Sequence, residues 1–189
     1  MSPSDSASEG VAKKKHARKI VQALRKAYPD ATCALHHSTP FQLLVATILS
    51  AQCTDERVNQ VTPKLFARYP TPQALAAARP SDLERLVKST GFYRAKAKSL
   101  REVSRALVDR HGGQIPRTLE ELVELPGVGR KTANVVLGTA FGIPSGIVVD
   151  THVKRISQLL GLTTNTNPDR IEQDLMEMIP KREWIAFPH

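Results

Sequence analysis

The sequence predicts an all-α fold. Three observations carry that reading. Apolar residues recur at helical spacing along most of the chain, and helix-capping residues punctuate it at short intervals. No segment alternates apolar and polar residues as a half-buried strand would, and "GIVV" at 146–149 is too short to imply a sheet. A length of 189 residues suits one large domain or two small ones, with room for a real core.

The elements follow in order. Residues 1–10, "MSPSDSASEG", are polar, lack the apolar centre of a secretory signal and read as a disordered tail. Across 11–28, Ile20, Val21, Leu24, Ala27 and Tyr28 share one helical face with cations mostly opposite, and Pro29 marks a break. The apolar run 41–49 reads as a buried helix. Thr54 is an expected N-cap for a helix to about Tyr69, with Asp55 and Glu56 in its first turn. Thr71 caps another, with Pro72 in the first turn. "SDLE" at 81–84 and "TLEE" at 118–121 have the spacing of capping boxes. Between them Leu100, Val103, Leu107 and Val108 mark a long helix that stops near "HGG", 111–113. Further helices are expected at 130–140, at 151–160 (stopped by Gly161) and at 168–178.

Composition narrows the function. Hydrophobic residues make up 41% and charged residues 24%, which fits a globular chain, and no apolar run reaches membrane-spanning length. The 27 lysines and arginines exceed the 18 acids by nine, which directs attention to nucleic acid. Seven of those cations fall between Lys13 and Lys26 with no acid among them. They form either a phosphate-facing patch or the solvated face of an amphipathic helix. Two cysteines, Cys33 and Cys53, without CxxC spacing argue against a disulfide framework and for an intracellular protein.

The stretch "LPGVGRKTANVV", 125–136, carries the chemistry. A helix over 119–124 runs into Gly127-Val128-Gly129, and the next helix starts near Arg130. The glycines allow unusual backbone angles and close approach of a ligand, while Val128 can anchor the turn in the core. The free N–H groups of the second helix, backed by its dipole, suit a phosphate. A plain turn between packed helices is the alternative. Lys131 falls on the second or third helical residue, where a cation is unfavourable. That local cost hints at function. The helix start, Arg130 and partial burial are expected to favour the neutral amine, a nucleophile able to form a Schiff base with a sugar aldehyde. In "VVDTH", 148–152, Asp150 is an expected N-cap. Its carboxylate could also stabilise positive charge on a ribose as a base departs.

Four motifs in order and spacing resemble the endonuclease III family of helix-hairpin-helix DNA glycosylases: "SAQCTD" (50–55), "TGFYRAKA" (90–97), "LPGVGRKTANVVLGTAFG" (125–142) and "VVDTHVKRI" (148–156). The resemblance covers nearly all the chain after the tail. It implies a two-lobed helix-hairpin-helix glycosylase fold with a DNA cleft. A six-helix barrel would span about 38–148. A second helical lobe would combine the N-terminal helix, 11–37, with an incomplete C-terminal segment, 149–189. The implied function is base-excision repair: removal of oxidised pyrimidines and cleavage of the abasic site by β-elimination. The family's lysine nucleophile falls on Lys131 and its catalytic aspartate on Asp150. Adenine-specific mismatch glycosylases share the fold but lack a nucleophilic lysine there, which favours the lyase branch over a monofunctional enzyme. A non-catalytic DNA-binding module is the other rival, and the pair Lys131 and Asp150 argues against it.

The resemblance also assigns DNA contacts. Gln52 matches the residue that fills the hole left by an everted base; the alternative is a buried amide tying down a helix end. Phe92 stands where relatives often carry an apolar wedge, and an aromatic can also unstack a base step. Its alternative is a core aromatic. Gly127, Val128, Gly129 and Arg130 form the phosphate-binding hairpin. His152 matches a histidine near the lesion pocket or phosphate, and is otherwise a structural histidine. The implied partner is double-stranded DNA with a damaged pyrimidine or abasic site, bound by a monomer in the bacterial cytoplasm. Relatives usually carry a [4Fe–4S] cluster on four cysteines beyond the equivalent of Trp184. Cys33 and Cys53 match none of those ligands, so no cluster or other metal is expected in this chain. The C-terminal lobe is then expected to lack packing against Ile20, Leu24 and the 168–178 helix.

Overall fold

A computed structural model describes residues 3–189. Their regular structure is helical, with no strand among the described residues. The ten α-helices are α1 (Pro3–Ala27), α2 (Pro40–Leu49), α3 (Asp55–Arg68), α4 (Pro72–Ala76), α5 (Pro80–Val87), α6 (Tyr93–His111), α7 (Leu119–Val123), α8 (Arg130–Phe141), α9 (Thr151–Leu159) and α10 (Pro168–Met178). Single 3-10 turns occupy Lys88–Thr90 and Lys181–Glu183. The chain forms two compact units. One is Cys33–Phe141; the other joins the chain up to Thr32 with Gly142–His189.

The Cys33–Phe141 unit is built around α2. Eight of its ten residues are buried, so it is apolar on every side and packs against α3, α6 and α8. Helix starts here are set by short polar side chains. Thr39, Thr54 and Thr71 each accept a backbone N–H from three residues ahead, satisfying a donor that the helix itself cannot. Thr118 does the same for Glu121 N, and its hydroxyl donates to the Glu121 carboxylate at 2.6 Å. The capping box expected at 81–84 does not form. Arg79 is the N-cap of α5 and makes no side-chain cap. Pro80 takes the first helical position, where its fixed φ fits and its missing N–H costs nothing, so Ser81 lies inside the helix. Helix α6 ends at Gly112, φ 58°, and the Gly113 N–H reaches back to the Leu107 carbonyl at 2.9 Å.

The other unit has its own core. Ala17 and Val21 of α1 meet Ile147, Val149, Val153, Leu162, Ile171, Leu175 and Ile179. Two expectations fail here. From Pro3 onward the segment read as a tail belongs to α1; Met1 and Ser2 lie outside the described residues. Pro3 suits a first helical turn, and no second proline follows before Pro29. The expected loss of packing around α10 is also overturned in the main. Ile171 and Leu175 are fully buried, and Ile20, Trp184 and Phe187 pack against the cluster. The reason is that the chain after Pro180 turns back as a 3-10 turn: the Trp184 indole donates to the Ile179 carbonyl at 2.9 Å. The nearly buried Glu183 carboxylate is held by Arg25 at 2.9 Å and Arg182 at 3.2 Å. Apolar surface does remain exposed. Tyr28 lies past the helix end and is 65% exposed rather than on the buried face. An open groove of about 600 Å³ is lined by Val21, Leu24, Tyr28, Ile156, Leu160 and Phe187, among others.

Leu175 is the anchor of α10 in this core. Leu175→Ala should cost about 2–5 kcal/mol of stability. Equilibrium urea unfolding checks this; a loss below about 1 kcal/mol would mean that α10 is not a core element.

Candidate functional site

The glycine turn is fixed from both sides. Leu125 and Val128 are buried, and the Leu125 carbonyl accepts the Val128 N–H at 3.1 Å to close a tight turn. Gly127 sits at φ +74°, in the left-handed region, with exposed backbone. The Gly129 carbonyl accepts the Ala133 N–H at 3.0 Å, so α8 starts immediately after it. The first N–H groups of α8 are beyond the reach of its own carbonyls, at the positive end of the helix. Gly127, Gly129, Arg130 and Lys131 are all exposed.

Two details differ from expectation. Gly129 does not need left-handed backbone, and a Cβ there would meet nothing within 4 Å. Open space over a helix start, rather than backbone freedom, is what this glycine provides. Lys131 is exposed and not partly buried. It is the second residue of α8, and no described residue pairs with it.

Gln52 and Phe92 are set apart by their backbone. They are the two non-glycine residues with positive φ among the described residues, at 52° and 45°. Such conformations cost on the order of 1–3 kcal/mol and persist only where the surroundings impose them. Gln52 follows the end of α2, in a turn closed by the Cys53 N–H to Ser50 carbonyl bond at 3.1 Å. Phe92 precedes α6, after Gly91 at φ 72°. Gln52 is exposed, so it is not a buried amide. Phe92 is 67% exposed, so it is not a core aromatic.

Sequence reasoning missed Lys96. It is 5% exposed, and its Nζ donates to the Leu49 carbonyl at 2.8 Å and the Thr90 carbonyl at 2.7 Å. Burial pushes the ammonium below its ordinary pKa, with Cys53 opposing the shift. A signal was available: 96, 100, 103 and 107 share one helical stripe, and a lysine on a core stripe calls for a buried partner.

Asp150 and His152 lie in the other unit. Asp150 caps α9 as expected: its Oδ1 accepts the His152 N–H at 2.9 Å and the Val153 N–H at 2.8 Å. Both bonds fall on one oxygen, so the cap does not use Oδ2. His152 is exposed and borders the apolar groove. The seven cations of 13–26 are all exposed, and Arg25 is committed to Glu183.

The cluster implied by the resemblance does not fit these residues. It needs four thiolates, and the sequence has two cysteines. Burial pushes the Cys33 thiol up, away from the thiolate a metal requires. Among the described residues no three His, Cys, Asp or Glu gather as a metal site.

The two glycines should respond differently to substitution. Gly127→Ala forces a Cβ into left-handed backbone and against Ser99 Cβ at 3.4 Å. It should cost about 1–2 kcal/mol. Gly129→Ala should stay within about 0.5 kcal/mol of the parent. Thermal melting of both variants checks this, and equal losses would show that the turn does not depend on Gly127.

Known proteins resemble this chain closely. Residues 45–181 match the HhH-GPD superfamily of base excision DNA repair proteins. Endonuclease III of Synechocystis sp. is 58% identical over 175 residues, covering 93% of this chain and 80% of the relative. Endonuclease III of Bacillus subtilis is 47% identical over 163 residues, covering 86% and 74%. A solved non-covalent endonuclease III–DNA complex superposes with a TM-score of 0.88 at 47% identity, covering 91% of this chain and 80% of that one. The hairpin, the capped aspartate and these matches together place the chain in the endonuclease III family of the HhH-GPD superfamily.

Proposed function

We propose that this chain is a bifunctional DNA glycosylase and abasic-site lyase of base-excision repair, acting on oxidised pyrimidines in duplex DNA. The observation that carries this reading is the station of Lys131. It is an exposed cation without a partner among the described residues, on the second residue of α8 and directly after a glycine turn. A cation gains nothing at the positive end of a helix, so its place there is a local cost that a reacting amine explains. The family supports the same reading, and a second structural neighbour is a trapped endonuclease III–DNA covalent intermediate, with a TM-score of 0.88 at 46% identity.

In the proposed reaction the Lys131 amine bonds to the sugar C1′ as the glycosidic electron pair leaves with the base, which takes up a proton. The sugar ring opens at C1′–O4′, O4′ is protonated and a Schiff base remains. Its iminium draws electrons from the adjacent C2′–H bond. Loss of that proton forms a C2′–C3′ double bond and expels the 3′ phosphate, which breaks the strand. Water then releases the lysine. The Asp150 carboxylate offsets positive charge on the sugar as the base departs, and its Oδ2, unused by the cap, is available to carry a proton.

Binding follows from charge and shape. The hairpin residues Gly127, Val128, Gly129 and Arg130 are proposed to hold a backbone phosphate through N–H groups. Gln52 and Phe92 are proposed to enter the base stack, and His152 to contact DNA near the lesion. The enzyme is proposed to work as a cytoplasmic monomer. No helix among the described residues is long and apolar enough to cross a membrane.

Two substitutions test the chemistry. Lys131→Gln should abolish borohydride trapping on abasic-site DNA while duplex affinity changes by no more than about threefold. A variant that still cross-links at the parent rate would remove Lys131 from the reaction. Asp150→Asn preserves a good cap, so melting should shift little while turnover falls by about 10²–10⁴-fold. Unchanged turnover would leave Asp150 a purely structural residue.

A further inference from the structure

Lys96 is a costly residue to bury, and its two bonds show where that cost is spent. The Leu49 carbonyl is at the C-terminal end of α2, and the Thr90 carbonyl closes the 3-10 turn before Gly91. Terminal carbonyls of this kind have no partner within their own helices and carry its negative pole. One ammonium satisfies both. Its backbone adds a third tie, because the Lys96 N–H donates to the Phe92 carbonyl at 3.0 Å and starts α6. An apolar side chain in its place would leave two buried carbonyls unpaired.

What lies next to those carbonyls gives the arrangement its meaning. Gln52 is three residues after Leu49, and Phe92 is two residues after Thr90. These are the two left-handed non-glycine residues among the described residues, both exposed. Each conformation is unfavourable alone and must be imposed from outside. The segments carrying them are far apart in sequence, and Lys96 joins both through single hydrogen bonds at 2.8 and 2.7 Å.

We propose that Lys96 is a positioning residue for base eversion, whose buried ammonium locks the α2 end and the turn before α6 together and so holds Gln52 and Phe92 as one pre-set pair. This rests on the reading in which those two side chains enter the duplex. Pre-setting matters because unstacking a base already costs a few kcal/mol, and ordering two loops at that moment would add to it. The role is confined to opening a helix. Attack on an abasic sugar in a single strand requires no hole to be filled.

The experiment is therefore a ratio. Borohydride trapping rates are measured on one abasic-site oligonucleotide, as a single strand and in duplex, for the parent chain, Lys96→Met and the double variant Gln52→Ala/Phe92→Ala. Circular dichroism melting establishes that each chain is folded. Lys96→Met is expected to trap the single strand within about twofold of the parent and the duplex at least about tenfold more slowly. Added to the double variant, it should have little further effect, because it acts through those two residues. Lys96→Gln, which keeps one donor for a carbonyl, replaces it if the methionine chain does not fold, with the same criteria. Equal losses on both substrates, or none, would overturn the proposal while the double variant still shows a duplex-specific defect. If the double variant shows no such defect, it is the reading of Gln52 and Phe92 that fails.

Discussion

Burial of Val128 between two exposed glycines decides where α8 begins. The turn closes on the Leu125 carbonyl, Gly127 takes the left-handed backbone that a side chain would resist, and the helix starts at Arg130. From that single constraint follow the N–H groups beyond the helix's own ladder, the positive helix end and the exposure of Lys131. A different turn would rotate α8, and Lys131 would lose its station. The energy for this comes from apolar burial of Leu125 and Val128, not from any contact made by the lysine itself.

The rest of the candidate machinery uses the same economy, in which a structural contact also sets a reactive group. Asp150 satisfies two N–H donors of α9 through one oxygen and keeps the other out of the cap. Lys96 satisfies two helix-end carbonyls and, in doing so, joins the segments of Gln52 and Phe92. Strain at those two residues and the buried charge beside them are local violations of stability. Violations gathered around one activity are what a functional surface is expected to show.

Much of this was legible in the sequence. Thr54, Thr71 and Thr118 cap where their side-chain chemistry says they should, and the apolar run of α2 is buried as a run without polar faces must be. Val128 was readable as an anchor because it is apolar between glycines. Other features were not. Pro80 overrode the apparent box at 81–84, since proline's fixed φ outcompetes a serine cap. Tyr28 shares the helical period of Val21, but the helix stops before it. The tail's polarity concealed a segment that, after Pro3, holds no proline to break a helix. The exposure of Gln52 and Phe92 depends on a positive φ that no side chain announces. The core stripe of α6 marks Lys96 as a buried lysine, but its partners are backbone carbonyls, and these leave no mark on a sequence.

The central claim is that the amine of Lys131 forms the covalent bond to DNA. The most direct measurement is peptide mapping by mass spectrometry of the borohydride-reduced complex with an abasic-site duplex. The account predicts the reduced sugar adduct on the peptide containing Lys131, at that residue. An adduct on Lys96, on another lysine or on the N-terminal amine would contradict it, and so would a complex that carries no adduct at all.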